Sequence, residues 1–182
     1  MGRPSLRDER RAQLVAAFAR VLARAGFAGA TIAAVAEEAG LAPGLVHHYF
    51  TDKQELLAVL VRELMDRFRR RARALDTGDP LDAYLTAALA LGETADIVAA
   101  RCWVGVFAEA VRDRPLFEQI RRLLEGEIHV ICRRSAGEFD ERDAGAVLAF
   151  IVGALVVGAF APRKTAGFAA PAARRLVETL RV

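Results

Sequence analysis

Residues 144–161 read AGAVLAFIVGALVVGAFA, about 18 positions without a charge, which is the length at which a helix can cross a bilayer. This run constrains the fold more than any other stretch, because a helix that is apolar all round must be hidden from water somewhere. A membrane is one such place, but the flank argues against it. Asp140, Glu141 and Asp143 stand where a basic or aromatic girdle would anchor a span, and nothing else in the chain is membrane-like. The run therefore belongs in the middle of a helical bundle or between two subunits. Gly145, Ala149 and Gly153, four residues apart, allow a second helix to come close.

The remaining pattern is helical throughout, and no segment reads as a strand. At 182 residues and 19.7 kDa the chain can bury a core without disulfides or metals. Cys102 and Cys132 form no C-x-x-C pattern, which fits a reduced, cytoplasmic protein, and the N-terminus lacks the apolar core of a secretory signal. A net charge of +3, carried mostly by arginine since Lys53 and Lys164 are the only lysines, permits nucleic-acid binding without demanding it.

Apolar residues at helical spacing place helix one over 6–25, with Gly26 ending it in a left-handed turn. Thr31 then offers an N-cap oxygen to a short helix that buries Ile32, Val35, Ala36 and Ala39 and stops at Gly40. Pro43 suits the first turn of a third helix, and Asp52 starts a long fourth one. Past a loop marked by Gly78 and Pro80, helices are expected over 81–93, 96–112, 115–138, 140–161 and 171–180. The fold class is all-α, with a unit of three helices over 1–51 followed by a helical unit over 52–182.

Residues 31–50 follow the helix-turn-helix plan. With Val46 facing inward, steps of about 100° bring Phe50 back to the same face, while Gly44 and His48 point outward and Leu45 and His47 flank them. That outward set suits a DNA groove: Gly44 permits close approach to the backbone, Leu45 can touch a thymine methyl, and the imidazoles can donate to phosphates or base edges. Ala42 and Pro43 open the same helix, and Lys53 adds a cation at the start of helix four, where a phosphate is favoured. Two ordinary solvated histidines are the bland alternative. A metal site would need more ligands than His47 and His48, and His129, the third histidine, is remote in sequence, so neither metal nor cofactor is expected.

The stretch TIAAVAEEAGLAPGLVHHYFTDKQELL, over 31–57, strongly resembles the DNA-binding motif of the tetracycline-repressor (TetR) family of bacterial regulators. Thr31, Ala39-Gly40, Gly44, Tyr49-Phe50, Lys53 and Leu56-Leu57 carry the likeness at their spacings. The resemblance implies that Thr31, Gly44, Leu45, His47, His48 and Lys53 face DNA. His47 stands where the family usually has a phosphate-contacting Tyr, Leu45 where Thr is frequent, and Ala42 where Ser or Thr usually caps the recognition helix. RCWVGVFAEAVRDRPLF, over 101–117, is more loosely similar to the betaine-operon repressor subgroup.

The resemblance further implies a homodimer on double-stranded operator DNA, released by a small-molecule effector. The helix at 144–161 and the terminal helix would form an isologous four-helix contact through Phe150, Gly153, Leu155, Val156, Leu176 and Leu180. Tyr84, Trp103 and Phe107 are candidate pocket walls with Cys102 or His129 as polar lining, against ordinary core packing as the alternative. An apolar or cationic effector suits that core. The basic run RFRRRAR, over 67–73, reads as solvated surface. An activator would use the same surface as a repressor, whereas an enzyme would need a convergent nucleophile, base or metal cluster that the chain does not supply.

Overall fold

The computed structural model describes residues 5–75, 78–92 and 94–181, and among these every regular element is an α-helix. The chain divides into two compact units, Met1–Met65 and Asp66–Val182.

In the first unit, α1 (Leu6–Gly29) opens on a capping box in which Ser5 Oγ accepts from the Asp8 amide at 3.2 Å and the Asp8 carboxylate accepts from the Ser5 amide at 3.3 Å. Leu14, Phe18, Val21 and Leu22 form its buried stripe. Gly26, at φ 69° and ψ 177°, breaks the helix where the sequence predicts its end, and one more turn follows. Thr31 Oγ1 accepts from the Ala34 amide at 3.1 Å to start α2 (Ile32–Ala39), and Gly40 closes it in the left-handed region at φ 67°. The third helix, α3 (Pro43–Val46), has Pro43 in its first turn. Asp52 Oδ1 accepts from the Glu55 amide at 2.8 Å at the head of α4 (Lys53–Ala74).

The second unit holds the last turns of α4 with α5 (Pro80–Ala88), α6 (Thr94–Ala110), α7 (Arg114–Arg134), α8 (Glu141–Phe160) and α9 (Pro162–Leu180). Asp79, Asp113 and Asp140 cap α5, α7 and α8. The core gathers Leu81, Tyr84, Leu85, Ile131, Val147 and Ile151 with Ala169, Ala173 and Val177 of α9. Helix α8 is the apolar run, and among the described residues it alone is long and apolar enough to cross a membrane. It packs against α6, α7 and α9, burying Ala144, Val147, Ile151 and Ala154. Its other face is uncovered: Val156 is 37 %, Val157 47 % and Phe160 79 % exposed.

Three local expectations are corrected. The last helix begins at Pro162 rather than at Pro171, which lies inside α9. Pro171 and Gly167, whose carbonyl loses its usual partner four residues on, are both exposed, so water can satisfy that oxygen. The fifth helix ends at Ala88, short of 93, and Leu91 beyond it is buried against Ala100 and Ala159; Glu93 lies outside the described residues. The basic run is not simply solvated: Arg67 and Arg71, one helical turn apart, pair with buried Asp96 at 2.9 and 2.6 Å, and Arg69 pairs with buried Glu127 at 3.3 Å. Close approach in α8 falls at Gly158, where an added Cβ would lie 2.6 Å from Leu91 Cδ1, whereas Gly145 and Gly153 have open space around them within the chain.

Candidate nucleic-acid interface

The outward face of α3 is built on two fully buried side chains. Val46 is 0 % and Phe50 1 % exposed, whereas Gly44, His47 and His48 are exposed and Leu45 is half-buried. The helix proper ends at Val46, and His47 to Tyr49 continue as hydrogen-bonded turns: His48 N donates to Leu45 O at 3.2 Å and Phe50 N to Val46 O at 3.0 Å. This last bond, four residues back, keeps Phe50 on the Val46 side. Ala42 supplies no side-chain cap, so α3 is held by the packing of Val46 and Phe50 more than by its own start. Exposed Ala42 and Pro43 adjoin that outward set in sequence; Thr31, ahead of α2, is also exposed, with its Oγ1 already engaged as the α2 cap.

Two residues that the sequence reading did not single out fix this face in place. Arg11 Nη1 donates to the Tyr49 carbonyl, Nη2 lies 3.2 Å from Glu55 Oε1, and the guanidinium sits 4.2 Å from the Phe50 ring centroid. One side chain of α1 thus ties down the turn after α3 and the first turn of α4. Gln13 Nε2 donates to the Ala39 carbonyl at 2.8 Å, fixing the end of α2. A signal for Arg11 was available: it lies three and seven residues before Leu14 and Phe18, a charge on the apolar stripe. Its partners, up to 44 residues away, were not readable.

Lys53 is held as well. Its Nζ donates to the Phe27 carbonyl at 3.1 Å and lies 4.2 Å from the Phe27 ring centroid, so it braces the turn after Gly26 while keeping further N–H donors. The Glu55 carboxyl is held below its ordinary range, first by the Thr51 amide that donates to it and then by Arg11.

The five pocket candidates do not all line the described cavity. Trp103 and Phe107 stack on α6 with centroids 5.8 Å apart, and Cys102 is buried, its thiol pushed up to about 12 by that burial. His129 is exposed on α7, its Nδ1 2.8 Å from the Glu125 carbonyl. Tyr84 lines a cavity of about 410 Å³ bounded by α4, α5 and α7, and its hydroxyl donates at 2.8 Å to buried Glu127, which lines the same cavity. Burial and the adjoining carboxylate raise the Tyr84 phenol well above its ordinary value. Of the dimer candidates, Gly153 and Val156 are exposed, and Phe150, Leu176 and Leu180 are half-buried. Leu155 packs into the chain's own core.

A short exposed helix, seated on a buried hydrophobic pair and preceded by a capped helix and a left-handed glycine, defines a helix-turn-helix unit in an all-helical chain. Residues 14–60 match the model of the bacterial regulatory proteins, tetR family. The chain is 34% identical over 140 residues to the HTH-type transcriptional regulator BetI of Paraburkholderia xenovorans (strain LB400), covering 74% of this chain and 67% of that relative. It is also 34% identical over 122 residues to BetI of Paraburkholderia phytofirmans (strain DSM 17436 / LMG 22146 / PsJN), there covering 64% of this chain and 62% of the relative's length. The crystal structure of a transcriptional regulator from Rhodococcus sp. Rha1 superposes with a TM-score of 0.82 at 25% identity, covering 93% of this chain and 95% of that one. The chain belongs to the tetR family of bacterial regulatory proteins, which is a family of DNA-binding regulators and not of enzymes.

Proposed function

We propose that the protein is a cytoplasmic repressor that binds a near-palindromic operator as a homodimer and lets go when a small effector binds its helical second unit. The observation that carries the reading is the contrast within one turn of chain between buried Val46 and Phe50 and exposed Gly44, His47 and His48. An element four residues long reads too few base pairs alone, which is why two copies are needed, with half-sites about one helical turn or a multiple apart. The uncovered apolar face of α8 would give the second copy its docking surface, Phe168 on α9 is also 44 % exposed, and a subunit contact is a better use of α8 than a membrane.

Selection of random duplex DNA with purified protein tests this. An enriched inverted repeat, bound with an affinity that falls as salt rises, is expected. His48→Ala or Leu45→Ala should then alter sequence preference, and Lys53→Gln should weaken all duplexes. No enrichment over random DNA would overturn the regulator reading.

A further inference from the structure

The alanine- and valine-rich sequence around Trp103 and Phe107 favours an apolar or cationic effector, but the cavity beside Tyr84 has the opposite polarity. Its rim carries four arginines, Arg69 and Arg73 from the end of α4 and Arg133 and Arg134 from the end of α7, against a single acid, Glu127. We propose that this cleft binds an organic anion, a carboxylate or phosphate on an apolar body.

The acid is already spent. Glu127 Oε1 is paired with Arg69 at 3.3 Å, and Oε2 accepts from Tyr84 at 2.8 Å, so an entering cation would have to displace one or the other. Arg134 is engaged too: Nη1 donates to the Pro80 carbonyl at 2.7 Å, and its guanidinium lies 5.8 Å from the Tyr84 ring centroid. Among the described residues, Arg73 and Arg133 have no acidic partner.

Helix dipoles offer a competing reason for arginines here, because the carbonyl ends of α4 and α7 each carry roughly half a negative charge. Those two ends and Glu127 together offset about two of the four guanidiniums. About two positive charges remain, and Arg73 and Arg133 are the groups that hold them. A planar guanidinium takes a carboxylate or phosphate bidentately, which suits the pair to an anionic head. Phe68, set edge-on to Tyr84 at 5.0 Å, joins Ala72 and Val130 as the apolar wall for the body behind that head. A volume of about 410 Å³ suits a small molecule and not a polymer.

The test is calorimetric titration of the intact protein with octanoate and octyl phosphate, with octanol and octyltrimethylammonium as the neutral and cationic controls. Both anions are expected to bind with about millimolar affinity or tighter, and at least about tenfold better than either control. Arg73→Gln/Arg133→Gln, two exposed changes that spare the core, should remove that preference. Arg121→Gln/Arg122→Gln, elsewhere on α7, should leave it intact. Equal binding of octanol or octyltrimethylammonium, unchanged affinity in the Arg73/Arg133 variant, or no binding of either anion at about 10 mM would overturn the site.

As the effector's site, the cleft also rests on the regulator reading, and a selected operator titrated in the same samples separates the two. Operator release by a bound anion supports the effector role, and an operator unaffected by a bound anion overturns it. If no operator can be selected, the regulator reading fails, while the calorimetry still decides the anion site.

Discussion

Arg11 is a charge on the apolar stripe of α1, and its contacts explain its place there. It holds the Tyr49 carbonyl, Glu55 and the face of Phe50 together, so the exposed histidines beside Tyr49 have a fixed backbone under them. Arg11→Met keeps the apolar stem but leaves the Tyr49 carbonyl without that donor and the Glu55 carboxylate held by Thr51 alone. It is expected to cost about 1–3 kcal/mol in chemical denaturation and to weaken operator binding beyond that loss of folded protein. Thr31→Ala removes the α2 cap and should cost about 1 kcal/mol. Glu55 gives a pH signature. Its folded pKa lies below the ordinary value of 4.5, so its contribution is present above that value and is lost as pH falls through the lowered one. Melting curves taken down the acid range should therefore show Glu55→Gln less stable than the parent at neutral pH, and losing less on acidification.

Among the elements, those whose limits are set within one turn of chain were the legible ones. Thr31, Gly40 and Pro43 each act on backbone groups within a few residues, and each does in the structure what its residue type implies. The face of α3 was legible for the same reason, since Val46 and Phe50 are a local pair. Distant partners decided the rest. Pro162 and Pro171 look alike to a local rule, and the packing of Thr165 and Ala169 into the core extends α9 back to Pro162. The arginines over 67–73 look solvated until Asp96 and Glu127 arrive from α6 and α7, and the cleft they help to line has no signature along the chain. Gly40 offers the sharpest test of an element boundary. At φ 67° with open space around it, Gly40→Ala meets no clash and pays only for its backbone, so stability should fall by about 1–2 kcal/mol, and by less for Gly40→Asn. Equal losses for both substitutions in denaturant titrations would point to a steric cause instead.

For the whole molecule, the question is what covers α8. A helix with Val156, Val157 and Phe160 facing water is costly in a lone chain, and one two-fold contact would cover all three in both copies together. Leu155 is a poor probe of that contact, because it is half-buried against Leu91 and Ala100 and a charge there would damage the chain's own core. Val156 faces outward, so Val156→Asp should spare the fold of the single chain. In the proposed dimer the symmetry would place two such carboxylates in one apolar contact. Several kcal/mol for each unpaired buried charge corresponds to a dimer dissociation constant raised by about a hundredfold or more. Sedimentation should show Val156→Asp as a monomer while circular dichroism retains the parent's helicity, and operator affinity should fall with the dimer because half-sites would then be bound singly. A dimer that persists in Val156→Asp, with helicity unchanged, would place the subunit contact elsewhere and leave the exposed face of α8 to another partner.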